Sequence, residues 1–166
     1  GSLLGITLRR GESFPVGKVD MLNMYPMNFS EFLDAIGQQD MNTIIRSREW
    51  KVMDLVKEKL ENLLRQYHYV GGMPNVVAGY VAHGELLGVR QEQRAILDAY
   101  RRDISKHTSE RESIRIGQVL SSLPSQLAKE NKKFVYGVVR KGARAADFEL
   151  AIQWLVDAGI VHRVHR

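Results

Sequence analysis

Residues 69–80 read YVGGMPNVVAGY. Tyr69 and Val70 close an apolar-periodic run. Gly71 and Gly72 permit backbone angles barred to other residues, and Pro74 suits the first position of a new helix. Val76, Val77, Tyr80 and Val81 then recur at helical spacing. The stretch therefore predicts helix, tight turn, helix. The free N–H groups at such a helix start form a ready anion site. Gly72, Met73 and Pro74 thus carry two readings, a turn between helices or the edge of a nucleotide pocket.

Working outward toward the N-terminus, residues 48–68 predict the strongest helix, one apolar stripe running through Val52 or Met53, Val56, Leu60, Leu63, Leu64 and Tyr67. Glu61 and Arg65 form an i,i+4 pair on the opposite face. Further upstream MNFSEF marks a helix start: Asn28 caps, Glu31 stands three residues on, and Met27 packs on Phe32. Gly37 ends that helix. Ser2 to Leu8 and Lys18 to Met24 read as short strands joined by the loop RRGESFPVG.

Toward the C-terminus, Gly84 stops the helix begun at Pro74. A longer helix from about Glu85 to Lys106 turns Leu86, Val89, Ile96, Leu97, Tyr100 and Ile104 inward. After the polar KHTSERES, Ile116, Val119, Leu120 and Leu123 predict a helix broken by Pro124, and SQLAKEN a further short one. KFVYGVV reads as a strand or extended segment. Arg144 to Ala158 is a helix with Phe148, Ala151, Ile152 and Leu155 inside and Gly159 at C′. IVHRV reads as a closing strand. The fold class is mainly α with small β content.

The chain has 166 residues, room for one medium domain or two small ones, and at 44% hydrophobic it can bury a core. No apolar run approaches the roughly 18–20 residues of a membrane span, and no signal peptide is legible. The absence of cysteine excludes disulfides, thiolate metal sites and a cysteine nucleophile. A cytoplasmic location is the expectation, with no membrane partner. The net charge of +5 is concentrated: residues 101–144 hold eleven Lys/Arg against four Asp/Glu. Such a block steers toward phosphates, nucleic acid or an acidic partner.

GESFPVGKV invites comparison with a phosphate loop, and fails it. Five residues rather than four separate Gly11 from Gly17, Val19 stands where the magnesium-binding hydroxyl belongs, and Pro15 removes a loop N–H. His162 and His165 sit three apart on an expected strand and so face opposite ways. No Ser/His/Asp set stands out. The chain alone offers no machinery for catalysis, and no metal site is expected.

The C-terminal third follows the element order of a winged helix, with RAADFELAIQWLVDAGIVHRV in the form of its third helix running into the wing. Lys129, Lys132, Lys133, Arg140, Lys141 and Arg144 flank that helix. They read either as phosphate contacts on DNA or as a solvated surface on a module that packs against protein. Between Asp147 and Ala158 the only amide is Gln153, and Asp147, Glu149 and Asp157 oppose phosphate in a groove. Weak, non-specific DNA binding at most is expected.

Taken in order, GSLLGITL, SFPVGKVDMLNMYPMNFSEFL, YVGGMPNVVAGYV, ILDAYRRDISKH and LPSQLAKENKKFVYGVVRKGARAADFELAIQWLVDAGIVHRV closely resemble the predicted ATPases of the AAA superfamily. These bacterial and archaeal proteins carry an uncharacterised winged-helix-containing domain after the P-loop domain. The resemblance covers nearly the whole chain except residues 38–47. It implies three parts: residues 1–27 as the end of a P-loop ATPase core, 28–107 as a helical lid, and 108–166 as a winged-helix-like region. It implies that the Walker A and Walker B motifs lie upstream of Gly1 and that the family continues past Arg166. ATP and magnesium then belong to the full-length parent, and no cofactor is expected for the isolated chain. By the same resemblance Ser2 falls at the end of the sensor 1 strand, and Gly72-Met73-Pro74 is similar to the lid turn that lies against nucleotide. Arg101, Arg102 and Lys106 read as surface residues partnered by Asp98 and Asp103. The partners implied are the remainder of the ATPase and a protein client, with homo-oligomerisation left open.

Overall fold

The computed structural model describes residues 22, 24–131 and 133–164. Those residues form nine helices: α1 (Phe29–Ala35), α2 (Gln39–Ser47), α3 (Trp50–Leu55), α4 (Lys57–Val70), α5 (Pro74–His83), α6 (Leu86–His107), α7 (Glu110–Leu127), α8 (Tyr136–Val139) and α9 (Ala145–Asp157). They fall into two compact units, one up to Asp98 and the other from Ala99 onward. The first turns of α6 belong to one unit and its last turns to the other. The mainly helical class stands, and no strand occurs among the described residues, so neither KFVYGVV nor IVHRV is one. The expected strand Ser2–Leu8 lies outside them, as does most of Lys18–Met24.

In the first unit, α1 starts as its sequence predicts. Asn28 Oδ1 accepts the Glu31 N–H at 3.0 Å, and Glu31 Oε2 accepts the Asn28 N–H at 2.7 Å. This reciprocal box satisfies two donors that the helix cannot pair internally. Phe32 is buried among Val70, Val76, Val77 and Val89, with Met27 packed against the same cluster. Its ring stacks on Tyr80 at a centroid distance of 6.5 Å and tilts against Tyr67 at 5.4 Å. A neighbouring cluster of Leu33, Met41 and Leu63 brings in α2, a helix over residues that the sequence reading leaves unassigned. Asn42, only 4% exposed, ties α2 to α1 by donating to Asp34 Oδ1 at 2.7 Å while its own Oδ1 accepts from Ser30.

Residues 48–68 are two helices rather than one. Val56 caps α3 and precedes α4, its N–H turned to Met53 O at 3.2 Å. That i→i+3 closure tightens the last turn of α3 and lets the chain change direction. The apolar stripe is therefore buried only along α4, at Leu63, with Val56 and Leu60 against its cluster. Trp50 and Leu55 on α3 stay exposed. Arg65 and Glu61 do pair on the outer face at 3.7 Å.

In the second unit, Ile104, Ile116, Val119, Phe148, Ala151 and Leu155 form the core between α6, α7 and α9. Ser109 and Glu112 make a second capping box at the start of α7. Pro124 does not break this helix, contrary to expectation, and SQLAKEN is not a helix of its own. A proline removes one N–H and crowds the preceding turn. Here it stands three residues from the helix end, where few bonds are at stake, and Ala128 N–H still reaches Pro124 O at 3.0 Å.

KFVYGVV is not a strand either. Val135 is extended, and α8 begins at the next residue. Gln126, 4% exposed, takes the role of a neighbouring strand. Its Nε2 donates to Val135 O at 2.8 Å and its Oε1 accepts Val135 N–H at 3.1 Å. Tyr136 Oη donates to Glu149 Oε2 at 2.7 Å, and Arg163 pairs with the same carboxylate. Helix α9 ends as expected at Gly159 (φ +69°). Gly159 N–H bonds Val156 O at 2.9 Å and Ile160 N–H bonds Leu155 O at 3.0 Å, a Schellman closure. The following IVHRV forms no strand.

Candidate functional site

Two of the sequence-predicted groups can be placed. The corner Gly72-Met73-Pro74 lies in the first unit, between α4 and α5. It is held from three sides. Met27 N–H donates to Gly72 O at 2.7 Å, and Tyr67 Oη donates to Met27 O at 2.8 Å. From α6, Gln93 Nε2 donates to Tyr69 O at 2.8 Å and Val70 O at 3.0 Å, satisfying carbonyls at the end of α4. Arg90 in turn donates to Gln93 Oε1 at 2.7 Å and lies 4.1 Å over the Tyr69 ring. Gly71 takes φ +78°, a conformation that glycine adopts freely.

Pro74 occupies the first helical position of α5, where its missing N–H costs nothing. Val77 N–H bonds Met73 O at 3.0 Å, which leaves Asn75 and Val76 to supply the remaining donors of the first turn. Pro74 and Asn75 are exposed. The first turn of α5 holds no acidic residue, and its N-cap Met73 makes no side-chain bond to it. Helices α1, α7 and α9 carry Glu31, Glu112 and Asp147 at the corresponding place. The arrangement is a pinned corner with a helix start that carries no carboxylate of its own helix. Glu92 of α6 stands beside it, its Oε2 accepting from Asn75 Nδ2 at 3.0 Å. Ser2, the other expected nucleotide contact, lies outside the described residues.

The basic group lies in the second unit. Lys133, Arg140, Lys141 and Arg144 are exposed, Lys129 is half-buried, and Lys132 lies outside the described residues. Arg140 and Ala143 close a tight turn, Ala143 N–H to Arg140 O at 3.0 Å, with Gly142 at φ +76°. Three of the cations are thereby gathered between α8 and α9. Arg140 also stands 5.7 Å from the centroid of Phe148, a core residue as expected. In α6, Lys106 Nζ lies 4.0 Å from Asp103, in keeping with its reading as a surface residue.

Sequence reasoning misses Arg90, Gln93 and Gln126, because polar residues on amphipathic helices read as solvent-facing. It also misses an open apolar groove of about 390 Å³ in the first unit, lined by Phe29, Ile45, Trp50, Met53, Leu60 and Leu64. That groove depends on α2 and on the break at Val56. Among the described residues no cluster of His, Asp and Glu could hold a metal ion, and no helix is long and apolar enough to cross a membrane.

No curated protein and no solved structure matches the chain. A family model described as a domain of unknown function, DUF8612, matches residues 61–166. The match takes in most of α4, the Gly72-Met73-Pro74 corner and the whole of the basic turn. The chain belongs to the DUF8612 family.

Proposed function

We propose that this chain supplies the helical lid and a winged-helix-like part of an AAA-type ATPase. In this reading its Gly72-Met73-Pro74 corner is turned toward ATP held elsewhere in a longer protein. The observation that carries the reading is the start of α5. A corner pinned by Met27, Tyr67 and Gln93 is held by its own hydrogen bonds. The helix beyond it has no acidic residue of its own in the first turn, the neighbouring Glu92 being engaged by the Asn75 side chain. Anions favour such a place. Phosphate and magnesium would be held by a phosphate loop outside this chain, since GESFPVGKV lacks the spacing for one. The chain by itself contributes binding and movement rather than a reacting group.

The test is ATP binding by the longer protein. Asn75→Asp places a carboxylate at the second position of α5 and should weaken ATP binding about tenfold, as expected for roughly 1.4 kcal/mol. Pro74→Ala frees the corner and should weaken binding severalfold. Pro74 is exposed, while Asn75→Asp loses the bond to Glu92 and faces its carboxylate. The unfolding midpoint of each variant is therefore measured alongside, and E92Q/N75D separates that local repulsion from an effect on ATP. Wild-type affinity in both variants, with folding intact, would make the corner purely structural and defeat the proposal.

A further inference from the structure

We infer that the turn between α8 and α9 binds the phosphodiester backbone of nucleic acid, without reading its sequence. Arg140, Lys141 and Arg144 fall within five residues, and the Arg140–Ala143 bond holds them on one tight turn. All three are exposed, and Lys133 stands exposed before the one-turn helix α8. No carboxylate pairs with any of the four among the described residues. Their charge is open to an outside partner.

The carboxylates that argue against phosphate are met from within. Asp147 Oδ2 accepts the Arg144 N–H at 2.9 Å and so caps α9. Glu149 holds both Tyr136 and Arg163. Asp157 lies ten residues beyond Asp147, about 15 Å along the axis at 1.5 Å per residue, further than the ~8 Å over which charges act at physiological salt. At the turn itself three cations, Arg140, Lys141 and Arg144, stand against the one capping carboxylate Asp147, so the local charge stays positive.

The chemistry of the turn favours a polyphosphate over an acidic protein. Between Arg140 and Asp147 the uncharged residues are Gly142, Ala143, Ala145 and Ala146. Protein interfaces draw their affinity from large apolar or aromatic anchors in a desolvated centre, and this turn has none. Cations spaced by small residues suit close approach to a backbone of regularly placed charges. No Asn or Gln stands there to read adenine; Arg140 and Arg144 suit a guanine edge as well as a phosphate, and the comparison of duplex sequences separates the two.

Fluorescence anisotropy of the full chain with labelled random duplex DNAs of several sequences, and with duplex RNA of the same sequences, tests this. Binding in the non-specific range of about 10⁻⁴–10⁻⁶ M is expected, with a log–log salt slope of about −3 to −4 for three or four phosphates neutralised. R140Q/K141Q/R144Q should lose about tenfold or more in affinity and flatten the slope to about −1. The control K51Q/K59Q/R94Q removes the same charge from the first unit and should leave binding within about twofold. Unfolding midpoints of both variants are measured alongside. Equal loss in the two variants would reduce the effect to net charge and overturn the assignment. So would wild-type binding by the first variant while folded, absence of binding by the wild type at millimolar protein, or tighter binding of polyglutamate than of DNA. Equal affinity for DNA and RNA fits backbone recognition, whereas strong preference for one sequence would refute it.

Discussion

A Cβ added at Gly72 would stand 2.2 Å from the carbonyl oxygen of Met27, and 3.0 Å from its nitrogen. The two backbones meet there because Met27 N–H donates to Gly72 O at 2.7 Å. Glycine at position 72 thus answers to a close approach of main chain to main chain, quite apart from any ligand.

Gly72→Ala should therefore destabilise the first unit by about 1–3 kcal/mol, the usual cost of forcing atoms into a packed site. Backbone atoms cannot swing aside as a side-chain tip can. Gly79→Ala is the contrast: a Cβ there meets nothing within 4 Å, and inside α5 it should stabilise by roughly 0.5–1 kcal/mol. Urea unfolding of both variants checks the pair. A Gly72→Ala protein as stable as wild type would mean that the contact with Met27 is loose.

Gln126→Leu keeps most of the side-chain volume and strips both hydrogen bonds from Val135. Leaving a buried donor and acceptor without partners costs about 1–3 kcal/mol each when water cannot replace them. Val135 is itself exposed at the surface, so the lower end, about 1–2 kcal/mol in all, is expected. Urea unfolding would show it as a lower midpoint with an unchanged slope. An unchanged midpoint would show that water takes over both bonds.

The Tyr136 phenol is held above its ordinary value of 10.0, first by donating its hydrogen bond to Glu149, then by burial and by the charge of Glu149, with Arg163 acting the other way. Its protonated form is the one the fold favours. This contribution is whole at neutral pH, begins to fall once pH passes about 10, where the unfolded phenol ionises, and is gone above the folded value. Tyr136→Phe should remove that part of the alkaline loss of stability. The difference between wild-type and variant ultraviolet titrations should show one phenol ionising later than usual. A difference curve centred at or below 10 would contradict the geometry.

Much of the fold is legible in the sequence where one signal decides. Asn28 with Glu31, Pro74 after paired glycines, and Gly159 past an apolar helix each belong to a local pattern with one physical outcome. The errors arise where tertiary structure outbids a local rule. KFVYGVV has the residues of a strand, but Gln126 satisfies the Val135 backbone, so no second strand is called for. Pro124 reads as a stop, yet near a helix end it forfeits little. The stripe from Val52 to Tyr67 runs on through Val56, and periodicity alone cannot register a change of direction there. At the candidate corner, Gly72 and Pro74 are visible in sequence, while Gln93 and Arg90 act across helices and leave no periodic trace.

Surface turns rich in glycine are the places where proteases usually cut, because a few residues can peel away without disturbing the rest. The GGMP corner is built otherwise. Met27 and Gly72 are joined main chain to main chain, and Met27 O also receives Tyr67. To lift the corner into a protease cleft, the chain must release the segment leading into α1 and the last turn of α4 together. A turn that looks like the softest point of the sequence should in this way be cleaved more slowly than a glycine loop held by nothing.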